Sequence, residues 1–162
     1  MTSARAPGVY PVMLAVAALV VVLDQATKEL ALRSLVDGPI DAIGGVVTWR
    51  LTYNPGGAFG VLQGLPGLFL VATLVIVGLI LVGARRLQER SWGVPLGLIL
   101  GGGVGNVVDR IFRDTGGRVV DFIDLHVWPV FNVADSAIVI GVLTIFLLSL
   151  RPSARDPSPS EP

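Results

Sequence analysis

The stretch Leu65–Ala84 reads LPGLFLVATLVIVGLILVGA and contains no charged side chain over its twenty residues. At a helical rise of about 1.5 Å per residue, this length matches the ~30 Å hydrocarbon layer of a bilayer. The stretch therefore predicts a membrane-spanning helix. The composition agrees, because 52% of the 162 residues are hydrophobic and only 15% are charged, as is typical of integral membrane proteins.

Three further apolar stretches acquire charged or polar residues at one end. They are Val9–Leu23 before Asp24 and Lys28, Trp92–Val108 before Asp109 and Arg110, and Ser136–Leu150 after Asn132 and Asp135. Each reaches spanning length only when its polar end is included. We predict an all-α membrane protein in which residues 1–150 form one domain with four transmembrane helices, at about residues 9–32, 65–84, 92–113 and 132–150.

An even number of crossings places both termini on one side of the membrane. The loops 33–64 and 114–131 then share the opposite side with every polar helix end. The twelve Lys and Arg residues divide six against six and do not orient the chain. The clustering of Arg85, Arg86 and Arg90 in one short connection favours cytoplasmic termini. The Pro/Ser-rich residues 151–162 predict a disordered cytoplasmic tail.

The N-terminal apolar segment has a second interpretation. Arg5 before the apolar core Val12–Leu23 is also the pattern of a cleavable signal peptide. A helix is favoured because no small-x-small cleavage site follows the core. In the loop 33–64, the β-branched and aromatic run Val46–Tyr53 predicts a strand, and the following Asn54-Pro55-Gly56-Gly57 predicts a turn.

The polar residues at the helix ends follow helical spacing. Residues at i, i+3 and i+4 share one helix face, and such sets are Asp24, Thr27 and Lys28; Asn106, Asp109, Arg110 and Arg113; and Asn132, Asp135 and Ser136. One interpretation is structural: Asp24 pairs with Lys28 and Asp109 with Arg110, which joins the helices. The further acids Asp121, Asp124 and Asp135 exceed the available cations, and surplus carboxylates at a membrane boundary indicate a functional site.

The composition argues against disulfides, zinc sites, a serine-type triad and nucleic-acid binding. With no Cys and one His, disulfides and the usual zinc ligand sets are excluded, and a Ser-His-Asp triad would depend on His126 alone. His126 is more typical of an interfacial loop residue beside Trp128. Zero net charge offers no case for a nucleic-acid partner. Carboxylates are the remaining candidates for catalytic groups. Of two neighbouring aspartates, one can stay protonated as an acid while the other activates water as a base.

Glycine recurs every four residues at Gly97, Gly101 and Gly105. This spacing predicts a helix face on which a neighbouring helix packs closely. A phosphate-binding role for the adjacent glycines is disfavoured, because the strand, lysine and acid that such loops need are missing.

Five sequence blocks occur in order along the chain. They are Asp24-Gln25-Ala26-Thr27-Lys28, Asn54-Pro55-Gly56-Gly57-Ala58-Phe59-Gly60, Gly102-Gly103-Val104-Gly105-Asn106-Val107-Val108-Asp109-Arg110, Val119-Val120-Asp121-Phe122 and Phe131-Asn132-Val133-Ala134-Asp135-Ser136. Together these blocks resemble the lipoprotein signal peptidases, the type II signal peptidases of bacteria. The resemblance implies an inner-membrane aspartic endopeptidase that removes the signal peptide of prolipoproteins carrying a diacylglyceryl cysteine.

The resemblance also implies residue roles. Asp121 and Asp135 correspond to the catalytic pair, without metal or cofactor. The supporting residues are Asp24, Lys28, Asn54, Gly56, Asn106, Asp109, Arg110 and Asn132. The loop 33–64 is expected to form a small periplasmic β-structure and Asp114–Val130 to include a short helix. The expected partners are the lipidated precursor and membrane lipid, with the chain acting as a monomer.

The spacing of the two aspartates constrains the path of the chain between them. Fourteen residues on one helix would separate Asp121 and Asp135 by ~21 Å. The chain between them must therefore reverse direction, and Trp128-Pro129 supplies a break in the helix pattern.

Three alternatives stay open from the residues alone. A small transporter or channel would also hold intramembrane charges, although it would favour the midplane and internal repeats. A lipid phosphatase could use clustered aspartates with Mg²⁺, and chelator sensitivity would reveal it. A noncatalytic assembly factor would survive loss of both Asp121 and Asp135.

Overall fold

A computed structural model describes residues 8–56, 66–87 and 89–150. Within these residues, four α-helices and three β-strands follow one another. They are α1 (Val9–Ser34), β1 (Ile40–Ile43), β2 (Val47–Asn54), α2 (Pro66–Gly83), α3 (Gly93–Phe112), β3 (Val119–Asp124) and α4 (Val133–Ser149). Two short 3₁₀ turns, Ala84–Arg86 and Arg90–Trp92, connect α2 to α3.

The four predicted apolar segments are helical over nearly all of their described residues. Among those residues, three helical stretches are long and apolar enough to cross a membrane, and α4 is a shorter apolar helix of 17 residues. α2 leaves large apolar side chains such as Val71 and Leu79 exposed. A helix that is apolar all round and still exposed is typical of a lipid-facing helix.

The centre of the bundle is α3, which packs between α1 and α4. A Cβ atom on Gly97 would lie 2.6 Å from the backbone oxygen of Met13, and one on Gly101 would lie 2.7 Å from that of Ala17. Real Cβ atoms do not approach so closely, so α1 can occupy this position only because glycine has no side chain. The predicted role of the glycine face in helix packing is confirmed.

The three strands form an antiparallel sheet in the order β1-β2-β3. Thr52 of β2 pairs with Asp121 of β3, and Asn54 pairs with Val119. The strand predicted for Val46–Tyr53 is thereby confirmed as β2. The sheet lies beside the end of α1, and its inner residue Phe122 packs with Ala31 and Leu35. This contact fixes β3, and with it Asp121, against the helix bundle.

The short helix predicted within Asp114–Val130 is wrong. That segment contains a turn, strand β3 and an irregular connection, and no helix. The reason lies in Val119–Asp124, where β-branched and aromatic residues flank Asp121 on both sides and nearly all residues are buried. Such residues favour a strand once β2 offers an edge for pairing. Asp121 therefore lies on a strand, and the chain reverses between β3 and α4 around Trp128-Pro129, as the spacing demanded.

Some predictions fall outside the described residues. They concern Arg5 and the signal-peptide interpretation, the block from Gly57 to Gly60, and the tail at residues 151–162.

Candidate active site

Asp121 is held in β3 with its side chain almost completely buried, at 1% exposure. Its Oδ1 accepts a hydrogen bond from Asn132 Nδ2 at 2.6 Å, and its Oδ2 accepts one from Asn54 Nδ2 at 2.9 Å. Burial, followed by the negative charge of Asp135, raises the pKa of Asp121 to about 7. Near neutral pH this carboxyl group can therefore hold a proton and donate it.

Asp135 lies in the first turn of α4 and takes part in capping that helix. Asn132 Oδ1 accepts from the Asp135 backbone N at 2.9 Å, and Asp135 Oδ2 accepts from the Asn132 backbone N at 3.2 Å. This reciprocal arrangement is a capping box, at a helix end whose dipole attracts negative charge. Asn106 Nδ2 donates to the other carboxylate oxygen at 2.9 Å. The orientation of Asp135 is thus fixed by neighbours in α3 and α4.

One asparagine joins the two aspartates. Asn132 is fully buried and contacts Asp121 through its side-chain amide and Asp135 through its backbone and side-chain oxygen. Its amide also lies 3.2 Å from Asn106 Oδ1. The structure therefore brings together four predicted site residues, Asp121, Asp135, Asn106 and Asn132.

A buried ion cluster lies behind this pair. Lys28 Nζ is 2.8 Å from Asp24 Oδ2, 2.8 Å from Asp109 Oδ2 and 3.1 Å from Asn106 Oδ1. The side chains of Lys28, Asp24 and Asp109 have no solvent exposure. The predicted pairing of Asp24 with Lys28 is confirmed.

The predicted pairing of Asp109 with Arg110 is wrong. Asp109 pairs with Lys28 and with Arg113, whose Nε lies 3.1 Å from Asp109 Oδ1. Adjacent residues on a helix point in different directions, whereas residues four apart share a face. Arg113 therefore reaches Asp109 and Arg110 does not.

The two carboxylates of the ion cluster also hold the backbone next to each candidate catalytic residue. Asp24 Oδ1 accepts from the backbone N of Ala134, and Asp109 Oδ2 accepts from that of Val120, both at 3.0 Å. These amides immediately precede Asp135 and Asp121. Lys28 binds both carboxylates, so the ion cluster fixes the backbone before Asp135 relative to the backbone before Asp121.

Gln25 belongs to this network but was not singled out from the sequence. Its Nε2 lies 3.1 Å from both Asp24 Oδ2 and Asp109 Oδ1, and its Oε1 accepts from Arg113 at 3.0 Å. The available signal was its place in the first sequence block, as an uncharged polar residue at a membrane-helix end.

The remaining predicted residues border the pair. Gly56 has a φ of +118°, and a Cβ there would collide with the ring of Phe69. Its backbone N donates to Asn54 Oδ1 at 2.9 Å, which turns the Asn54 amide toward Asp121. Arg110 is half-buried, donates to the backbone oxygen of Asn106 at 3.2 Å and interacts electrostatically with both aspartates.

Asp124, the third surplus acid, lies outside this site. Its Oδ2 is 2.7 Å from Arg50 NH2, and the backbone N of His126 donates to its Oδ1 at 2.8 Å. In the described part of the chain, no three side chains of the metal-binding types lie close enough together to share an ion.

A cavity of about 320 Å³ opens beside Asp135. Its other lining residues are mostly apolar, namely Leu125, Trp128, Phe131, Ser136, Val139 and Ile140. An apolar cavity with one carboxylate at its wall is suited to an apolar ligand that carries a polar group to be acted on.

The apolar helices and the buried aspartate pair define a small helical membrane protein with a carboxylate site at one end of its bundle. The chain belongs to the signal peptidase II family, since the family model described as signal peptidase (SPase) II matches residues 16–151. Membership makes it a bacterial membrane protein and implies a protease of lipoprotein processing.

Relatives support this assignment. The chain is 50% identical over 143 residues to a lipoprotein signal peptidase of Mycolicibacterium smegmatis, in an alignment that covers 85% of this chain and 60% of that protein. It is 47% identical over 151 residues to one from Mycobacterium avium, with 90% of this chain and 82% of the relative covered. The chain thus spans less than two thirds of the first relative and most of the second.

Two solved structures share the fold. A bacterial membrane enzyme determined by the in meso method at 2.3 Å resolution superposes with a TM-score of 0.80 at 28% identity, covering 92% of this chain and 93% of that one. A second, at 1.9 Å resolution, has a TM-score of 0.77 at 28% identity, covering 89% and 96%.

Proposed function

We propose that this chain is an aspartic endopeptidase that removes the signal peptide from diacylglyceryl-modified prolipoproteins, cutting on the N-terminal side of the lipidated cysteine. The carrying observation is that Asn132 joins two carboxyl groups, one of which has a pKa near 7. A pair that shares one proton can supply an acid and a base at the same time.

In the proposed reaction, Asp121 carries the proton and Asp135 is ionised. Asp121 is the more deeply buried of the two, whereas Asp135 faces the cavity at the N-terminus of α4. Asp135 takes a proton from a water molecule, the water oxygen attacks the scissile carbonyl carbon, and Asp121 protonates the carbonyl oxygen. The tetrahedral intermediate then returns a proton to Asp121, and Asp135 protonates the leaving amine as the C–N bond breaks.

The surroundings suit a substrate that stays in the bilayer. The apolar cavity beside Asp135 can accept apolar side chains of the signal peptide, while Asn54 and Arg110 can bind its backbone carbonyls. The proposal includes four spans in the bacterial inner membrane. Both termini and Arg85–Arg86 face the cytoplasm, whereas the sheet and the aspartate pair lie at the periplasmic face. The chain works as a monomer among membrane lipids.

The direct test is cleavage by the purified protein in detergent or lipid. A synthetic precursor peptide with a diacylglyceryl cysteine should be cut before that cysteine, whereas the same peptide with an unmodified cysteine should remain intact. EDTA should leave the rate unchanged, since no step uses a metal. Loss of activity in EDTA and its return with Mg²⁺ would instead support the phosphatase type of chemistry. Failure to cut the lipidated peptide would contradict the proposed function.

A further inference from the structure

The connection between β3 and α4, residues 125–132, lies between the two candidate catalytic residues, since Asp121 precedes it and Asp135 follows it. Leu125, Trp128 and Phe131 of this connection line the cavity beside Asp135. The path of the connection therefore determines one wall of that cavity.

The connection begins with an unusual backbone conformation. His126 has a φ of +61°, the only positive φ at a non-glycine position among the described residues. The left-handed region is sterically disfavoured for a residue with a Cβ, so neighbouring contacts must hold it there.

Those contacts come from both neighbouring strands. The backbone N of His126 donates to Asp124 Oδ1 at 2.8 Å, and its ring Nε2 lies 3.0 Å from Thr48 Oγ1 in β2. Ring Nδ1 lies 3.5 Å from Asp124 Oδ2, which Arg50 also contacts. We call Thr48, Asp124 and His126 the His126 cluster.

The imidazole ring of His126 can make both side-chain contacts at once. With hydrogen on Nδ1, that nitrogen faces the Asp124 carboxylate as a donor, while Nε2 accepts from the Thr48 hydroxyl. Asp124 is 2% exposed, so its carboxylate is a fixed partner for the ring.

The far end of the connection has a separate attachment. Phe131 N donates to Ile123 O at 3.0 Å, and Ile123 N donates to Phe131 O at 2.9 Å. This backbone bridge lies next to Asn132, which holds the two aspartates. Between the two attachments, Val127 is 88% accessible.

We propose that the His126 cluster positions the wall of the substrate cavity, so that Thr48, Asp124 and His126 are positioning residues for substrate binding. The inference rests on the proposed function. Loosening the cluster would release Leu125, which adjoins Asp124 and His126, whereas the Phe131 bridge and Asn132 would continue to hold the aspartates. Substrate affinity should therefore suffer and the chemical step should not.

The test removes one hydroxyl. Thr48→Val keeps the shape and β-branching of threonine, Thr48→Ser restores the hydroxyl, and Thr144→Val is the matched control, since that hydroxyl only bonds its own helix at Ile140 O. Thr48→Val should raise KM for the lipidated peptide ~10-fold with kcat changed less than ~2-fold. Thr48→Ser and Thr144→Val should match the wild type.

Amide hydrogen exchange gives a readout independent of cleavage. In Thr48→Val, exchange of the His126 amide, which donates to Asp124 Oδ1, should become ~10-fold faster, while the Phe131 amide stays protected. His126→Asn should behave alike, because asparagine tolerates a positive φ but does not replace the ring. Unchanged exchange, or a fall in kcat at constant KM, would overturn the positioning role. A wild type that binds but never cuts the peptide would overturn the proposed function, while the exchange pattern still decides whether the cluster holds the connection.

Discussion

At the scale of single residues, the two aspartates differ in their surroundings although they share Asn132. Asp121 lies in a buried strand between two amide donors, and Asp135 lies at a helix N-terminus beside an open cavity. Asparagine has the shape of aspartate but cannot exchange a proton. Asp121→Asn and Asp135→Asn should each reduce kcat/KM by ~10³-fold or more, with the protein still folded.

The double variant should be scarcely worse than either single one, because both groups act on the same water. Asp37→Asn is the matched control, since Asp37 is an exposed loop residue. Cleavage of the lipidated peptide measures activity, and thermal unfolding in detergent measures stability separately. An active single variant, or additive losses, would contradict the paired mechanism.

Cleavage should depend on pH near neutrality. The proposed acid, Asp121, has a pKa of about 7, so its protonated fraction falls as pH rises through that value. The kcat/KM value should accordingly decrease between about pH 6 and about pH 8. A rate that is flat or increases over this interval would exclude Asp121 as the acid.

The raised pKa of Asp121 also makes the stability of the fold depend on pH. Since the pKa in the folded chain lies above the ordinary value of 3.8, the folded state retains the proton that the unfolded chain loses. The free energy of unfolding should fall as pH rises from about 4 to about 7 and then level off. Asp121→Asn should lack this decrease, which paired melting curves of wild type and variant can measure.

At the scale of elements, the ion cluster joins α1 to α3. Lys28 balances Asp24 and Asp109, so Lys28→Met leaves the buried charge of Asp24 without a cation and takes one of two cations from Asp109, typically at a cost of ~3–5 kcal/mol. Combining it with Asp24→Asn should restore part of the loss, because Asp109 keeps Arg113 as a partner. The single and the double variant can be compared by the yield of folded protein and by thermal stability. A double variant less stable than Lys28→Met would refute the pairing account.

The contact of α1 with α3 provides another comparison. A methyl group at Gly101 would meet the backbone of Ala17 and the side chain of Val20, whereas one at Gly78 in α2 would meet nothing within 4 Å. Gly101→Ala should therefore destabilise the protein by ~1–3 kcal/mol. Gly78→Ala should be neutral or slightly stabilising, since alanine is the better helix former. Equal effects on melting temperature would argue against close packing at Gly101.

The sequence predicted what depends on local spacing and missed what depends on distant partners. Helices, strand β2 and the Asp24–Lys28 pair follow from hydrophobic runs and from i, i+4 geometry. Strand β3 could not be recognised as readily, because it needs the edge of β2 and is buried on both faces. For the same reason the bonds from Asp24 to Ala134 and from Asp109 to Val120 were not foreseen: they join residues 110 and 11 positions apart.

At the scale of the whole molecule, the four-span arrangement remains a prediction that labelling can test. Single cysteines introduced at the exposed positions Asp37 and Glu89 have no native cysteine to compete with them. In intact spheroplasts, a membrane-impermeant thiol reagent should modify Asp37→Cys but reach Glu89→Cys only after lysis. Labelling of the second position alone in intact spheroplasts would reverse the orientation.

The ion cluster has a consequence for biogenesis. On α1, Lys28 lies four residues after Asp24, and Arg113, directly after the end of α3, lies four residues after Asp109, each within contact distance of its acid. Each buried acid thus has a cation four residues further along its own segment, which offsets the cost of bringing that acid into the bilayer. When α1 packs against α3, Lys28 keeps its contact with Asp24 and gains a second one with Asp109. Membrane insertion of the separate helices and their later assembly therefore draw on the same four side chains.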